Sequence, residues 1–336
     1  MKERLSVIDF LRGFSIFTIA LMHLTHPYVT GMLWKAVVFG GAGVHVFILV
    51  SGFGLYLSYM RKPLGYSEFL KKRFGKVYWP YAVMVVAWLL WVLVSSGNFM
   101  WREALSHLML YKMFVHDLDV SFCYPYWFIS TIIQFYICWP LIVRVACLGG
   151  ANNKVTGYGL SVSMVISLLW ATAVGLLGYE ELRPWGSCFL QYLWEFVLGM
   201  WLAKKYQEKA GSFDIKNVSY LWLFVAIIFG VAMTGVMASK GGFLKLYNDI
   251  PSLLGYLSCA LLIYKANIRL LNKFFIWTSA FGFELYLVHS LVYSIINTIG
   301  ISAIPLKLII SFVLAYVVAY VYHFVLSSNY IKHKKL

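Results

Sequence analysis

Residues 8–23 read I-D-F-L-R-G-F-S-I-F-T-I-A-L-M-H, an apolar run broken by three ionisable side chains, Asp9, Arg12 and His23. Ionisable groups inside an apolar span are costly and are functional candidates by default. Arg12 and His23 lie about 20° apart around a helix and about 16 Å apart along its axis. One helical stripe therefore carries a guanidinium near one end and an imidazole at depth. A guanidinium holds anions; an imidazole titrating near 6.5 takes up and returns protons near neutral pH. Asp9 and Arg12 form an i, i+3 pair that would hold each other in place. The plainer alternatives are snorkelling of Arg12 to headgroups and a helix–helix hydrogen bond for His23.

Further polar residues punctuate later apolar runs. His45 opens G-V-H-V-F-I-L-V-S-G-F-G, where Ser51, Gly52 and Gly54 suit close helix packing or a substrate path. Lys71, Lys72, Arg73 and Lys76 cluster at a helix entrance, where cations would hold phosphates or simply set topology. Gln134 is the one amide of its run, and Glu195 and Glu284 are carboxyl candidates for burial. Glu284 and His289 fall about 140° apart on a helix, so they do not share a face but can line one cavity at different depths. His26 reads as solvated and His323 as structural. Cys123, Cys138, Cys147, Cys188 and Cys259 contain no C-x-x-C pair, and their odd number argues against a disulfide framework; no metal site is expected.

These side chains need helices to position them. Of 336 residues 61% are hydrophobic and only 12% charged, which argues against a soluble enzyme and against disorder. The expected fold is all-α and polytopic, a single transmembrane domain over 1–336. About ten spans meet the roughly 20-residue requirement: 7–28, 37–60, 77–96, 125–146, 156–178, 185–203, 218–238, 247–266, 274–297 and 305–327. The first is read as a retained helix, not a signal peptide, because polar residues flank it closely and no small-x-small cleavage site follows. Ten spans put both termini on one side. Most Lys and Arg fall in loops of that side; the other carries Lys35, Arg102, Lys112, Arg183, Lys240, Lys245 and Lys307. The bias places both termini in the cytoplasm. The net charge of +15 is thereby a topology signal rather than a sign of nucleic acid. The longest outer loop starts at Gly97, and its apolar middle, 105–115, is expected to lie along the interface as a short helix.

The first stretch, with Arg, ten residues, then His, resembles the first helix of the membrane-bound acyltransferase-3 family. G-V-H-V-F-I-L-V-S-G-F, W-F-I-S-T-I-I-Q-F-Y-I-C-W-P and E-L-Y-L-V-H-S resemble further family segments in the family's order, so the likeness covers nearly the whole chain. The resemblance implies transfer of an acyl group, often acetyl, from cytoplasmic acyl-CoA to a carbohydrate hydroxyl in a bacterial inner membrane. Acyl-CoA would be a cosubstrate, with no permanently bound cofactor. The partners would be a polysaccharide or lipid-linked glycan and membrane lipid. It implies His23 as the catalytic residue and Arg12 as a donor contact. Where the family has Arg-x-x-Arg, this chain has Arg73 and Lys76, which keeps the charge but loses a bidentate fork; Lys72 joins them as a donor contact. Many members have Glu where this chain has Gln134. Gln134, Glu284 and His289 are the expected acceptor contacts. The rival reading is a transporter of a glycan or anionic solute, its passage lined by these polar residues. The sequence lacks the repeated halves with paired broken helices that many such proteins show.

Overall fold

The computed structural model describes residues 5–119, 121–150, 154–209, 213, 215 and 217–333. Among these every regular element is helical. In chain order they are α1 (Ser6–Thr25), α2 (Gly31–Phe39), α3 (Gly43–Arg61), α4 (Tyr66–Ser96), α5 (Trp101–Leu108), α6 (Trp127–Ile137), α7 (Trp139–Ala146) and α8 (Gly157–Leu176). There follow α9 (Arg183–Gly186), α10 (Leu193–Glu208), α11 (Tyr220–Lys240), α12 (Gly242–Lys245), α13 (Asp249–Lys265), α14 (Arg269–Ser279), α15 (Gly282–Thr298) and α16 (Ile304–His333).

Among the described residues seven stretches are long and apolar enough to cross a membrane, and nine if each of two bent helix pairs counts as one span. The pairs bend by 67° within 124–146 and by 82° within 269–298. The expectation of about ten spans differs at 185–203. There the chain forms short α9 and then α10, whose sixteen residues rise about 24 Å, short of a 30 Å hydrocarbon core. Apolar composition signalled a span that the turns around 187–192 cut down. Of the basic residues used to orient the chain, Lys2, Arg4, Lys216, Lys334 and Lys335 lie outside the described residues. Large apolar side chains on the helix exteriors, such as Leu176, Leu221 and Trp222, are strongly exposed, as a multi-pass membrane protein requires.

The chain forms two compact units. Unit 1 comprises residues 1–41, 76–126 and 269–336. Here α1 packs along α14 and α15, and α15 along α16. A Cβ at Gly13 would collide with the Phe275 carbonyl, so glycine is what lets α1 and α14 touch backbone to backbone. Phe10 and Phe14 then meet Phe275 edge to face, each with centroids 5.2 Å apart. The expected interface helix begins and ends earlier than 105–115. Leu110 adopts φ 61°, a left-handed conformation that stops α5. The segment after it is fixed instead by buried Lys112, whose Nζ donates to the Ser121 and Cys123 carbonyls at 2.9 and 2.8 Å.

Unit 2 comprises residues 42–75 and 127–268. Its centre is α3 against α10, with α8 and α13 packed around them. A Cβ at Gly52 would strike the Phe196 carbonyl, and one at Gly199 the Leu49 carbonyl. The close approach expected at Gly52 is thus reciprocal, a small residue from each helix facing the other's backbone.

Candidate active site

Unit 1 brings His23 and His289 together. His23 lies two residues before the end of α1, and His289 lies midway along α15, the helix that follows the 82° bend. His23 Nδ1 is 3.2 Å from His289 Nε2, and the rings stack with centroids 5.2 Å apart. His289 is fully buried, while His23 is half-buried.

Bond directions follow from the partners. His289 Nδ1 lies 3.0 Å from the Leu285 carbonyl, which can only accept, so Nδ1 carries the proton. In the neutral ring Nε2 is then an acceptor. It receives His23 Nδ1–H, and the Ser290 hydroxyl 3.1 Å away adds a second donor. A neutral His23 protonated at Nδ1 has its lone pair on Nε2. These tautomers are assigned from the bonding pattern. The arrangement can do acid–base chemistry at His23 Nε2, with His289 fixing tautomer and ring direction. Tyr293 packs edge-on to His289 at 5.7 Å and donates to the Ala20 carbonyl, which ties α15 to α1 near the pair.

The other expected site residues occupy distinct places. Arg12 stands 4.0 Å from Asp9, with 41% of its side chain exposed, so the i, i+3 pair forms loosely. Lys72 is exposed on α4 in unit 2. Arg73, also in unit 2, lies over the Phe69 ring at 6.0 Å, and its buried Nε has no hydrogen-bond partner. Lys76, exposed, belongs to unit 1. Glu284 pairs with His323 Nδ1 at 3.0 Å. The sequence treated that histidine as structural and the glutamate separately. Gln134, in unit 2, accepts the Phe189 N–H at 3.1 Å, tying α6 to the turn before α10.

Unit 2 holds a polar cluster that the sequence reading assembled only in pieces. His45 Nδ1 is 2.8 Å from Glu195 Oε1, and His45 Nε2 is 3.8 Å from Asp249 Oδ1. Gln191 donates to Asp249 at 2.8 Å and to the Leu246 carbonyl at 2.6 Å. Three helices, α3, α10 and α13, thus meet through one imidazole. Asp249 was missed; its signal was a carboxylate at the start of an otherwise apolar segment. Among the described residues no cluster of His, Cys, Asp and Glu is suited to a metal ion. The five cysteines are free thiols.

A family model described as the acyltransferase domain, Acyl_transf_3, matches residues 5–324. Neither a search of the curated proteins nor one of the solved structures found a match. With the match spanning nearly the whole chain, the transport reading gives way, and the protein belongs to the acyltransferase-3 family: it is a multi-helix membrane acyltransferase that transfers groups other than aminoacyl groups.

Proposed function

We propose that this enzyme moves an acyl group, most simply acetyl, from cytoplasmic acyl-CoA to a hydroxyl of a surface glycan or glycan precursor, with both termini in the cytoplasm of a bacterial inner membrane. The observation that carries the reading is the His23–His289 pair. His23 Nε2 removes the acceptor hydroxyl proton as the oxygen attacks the thioester carbonyl. The tetrahedral adduct collapses, the C–S bond breaks, and the imidazolium returns its proton to the departing thiolate. No net proton is gained or lost. His289 Nε2 supports the imidazolium by accepting its Nδ1–H throughout. The donor's diphosphate engages Arg12 and Lys76. The roughly 16 Å between Arg12 and His23 along α1 is a length that a thin pantetheine arm covers. Glu284, half-buried beside His323, is the proposed acceptor contact.

The test uses purified protein in uncharged detergent with acetyl-CoA and a hydroxylated glycan. Release of free CoA thiol that depends on the glycan, together with ester formation, is the expected result. Arg12→Ala should raise the donor KM about tenfold and leave kcat within about threefold. Glycan-independent thiol release with no ester formed would overturn the proposal.

A further inference from the structure

In unit 2, where α3 and α10 end, a cavity of about 520 Å³ opens beside the chain at 154–156. That volume falls in the range of small-molecule sites, about 300–1,000 Å³. Tyr56 and Tyr59, from the last turns of α3, supply aromatic surface, their rings stacked with centroids 6.0 Å apart. Trp139 supports Tyr59 edge-on at 5.8 Å. The buried Tyr56 hydroxyl accepts the Val155 N–H at 3.1 Å, and Lys204 Nζ donates to the Val155 carbonyl at 2.9 Å. Two cavity residues thus clamp one residue of the connecting chain, which fixes the Lys204 ammonium at the cavity and sets Lys154 at its lining. Glu208 is ion-paired with both Lys204, at 3.6 Å, and Lys205, at 3.0 Å. An ammonium has three donors, and Val155 takes one.

We propose that this cavity binds the phosphorylated nucleoside end of the acyl-CoA donor, its purine against Tyr59 and its ribose 3′-phosphate at Lys154 and Lys204; this rests on the donor reading above. Two ammonium groups beside the half-buried Tyr59 ring suit a ligand that joins a planar ring to anionic oxygens. A phospholipid headgroup shares the anionic oxygens but has no planar ring for the tyrosine wall. Glu208 opposes the bound phosphate, so its charge lowers affinity and gives the proposal a variant that gains function.

The experiment measures binding of CoA and of adenosine 3′,5′-bisphosphate to the full-length protein by calorimetry in uncharged detergent. Wild type should bind both. Tyr59→Ala should weaken both about tenfold and Tyr59→Phe should restore them. Lys154→Gln should weaken both about fivefold, and Glu208→Gln should tighten both about threefold. Wild-type affinity in both Tyr59→Ala and Lys154→Gln overturns the pocket. So does displacement of the nucleotide by phosphatidylglycerol in Tyr59→Ala and wild type alike, which marks a headgroup site. If those variants bind CoA normally in a protein that forms ester, the pocket fails and acyl transfer stands. If the variants weaken CoA binding in a protein that forms no ester, the pocket stands and acyl transfer fails.

Discussion

His23 in unit 1 faces a second imidazole, whereas His45 in unit 2 lies between two carboxylates. The sequence offers both as histidines on apolar helices, and only the company they keep separates them. His289 can hold a proton on one side of the His23 ring and leave the opposite nitrogen basic. Glu195 and Asp249 present an acceptor toward each nitrogen of His45, which occupies that ring in joining α3, α10 and α13. Accessibility does not divide them, since both rings are half-buried. A lone histidine in a span is therefore read by its partners, an imidazole partner leaving a base and carboxylate partners making a fastening.

The largest expected effect lies on the fastening side. Glu195→Ala strands His45 in the interior and should destabilise the protein by about 3–5 kcal/mol, read as the loss of thermal unfolding temperature in detergent. Replacing both partners, His45→Leu with Glu195→Leu, should recover most of that loss, because two apolar residues remove the desolvation cost as well as the pair. If the double variant folds as stably as wild type but transfers no acyl group, His45 is chemical and the contrast with His23 collapses.

The second effect lies on the base side. His289→Ala removes the acceptor for His23 Nδ1–H and should lower kcat about 100-fold with the donor KM within about twofold. His289→Gln, whose amide oxygen still accepts, should recover about tenfold of that loss. A purely structural His289 would show no such recovery at equal stability.

A third histidine sharpens the comparison at smaller cost. His107, in α5 outside the spans, contacts the Tyr81 hydroxyl at 3.0 Å and the Ser121 carbonyl at 3.2 Å. Burial and then the Lys112 ammonium push it down to about 3. Its unfolded value is near 6.5, so the unfolded chain binds the proton first. The stability it contributes is complete above about pH 6.5 and is lost as pH falls from there toward 3, at up to about 1.4 kcal/mol per pH unit. Unfolding temperatures of wild type and His107→Gln between pH 7 and 5 should converge as pH falls. Parallel curves would mean that His107 does not report this environment.

Much of the fold was legible because apolar length and polar interruption are local signals. The first helix with Arg12 and His23 and the close-packed Gly52 both follow from them. The sixth span failed for a physical reason: hydropathy adds up composition and does not register that the turns at 187–192 shorten α10 to sixteen residues. The partners within the site were not legible. His289 is 266 residues from His23, Glu195 is 150 from His45, and helical phase within one segment says nothing about which helix lies opposite. Phase did anticipate that Glu284 and His289 would part company, and Glu284 turns to His323 instead.

One comparison bears most directly on the base assigned to α1: the rate of acyl transfer and the CoA dissociation constant, both measured on folded His23→Ala and on wild type. Transfer should fall about 1,000-fold while the dissociation constant stays within about twofold. Transfer at the wild-type rate, or a loss accounted for by failed donor binding, would contradict His23 as the base.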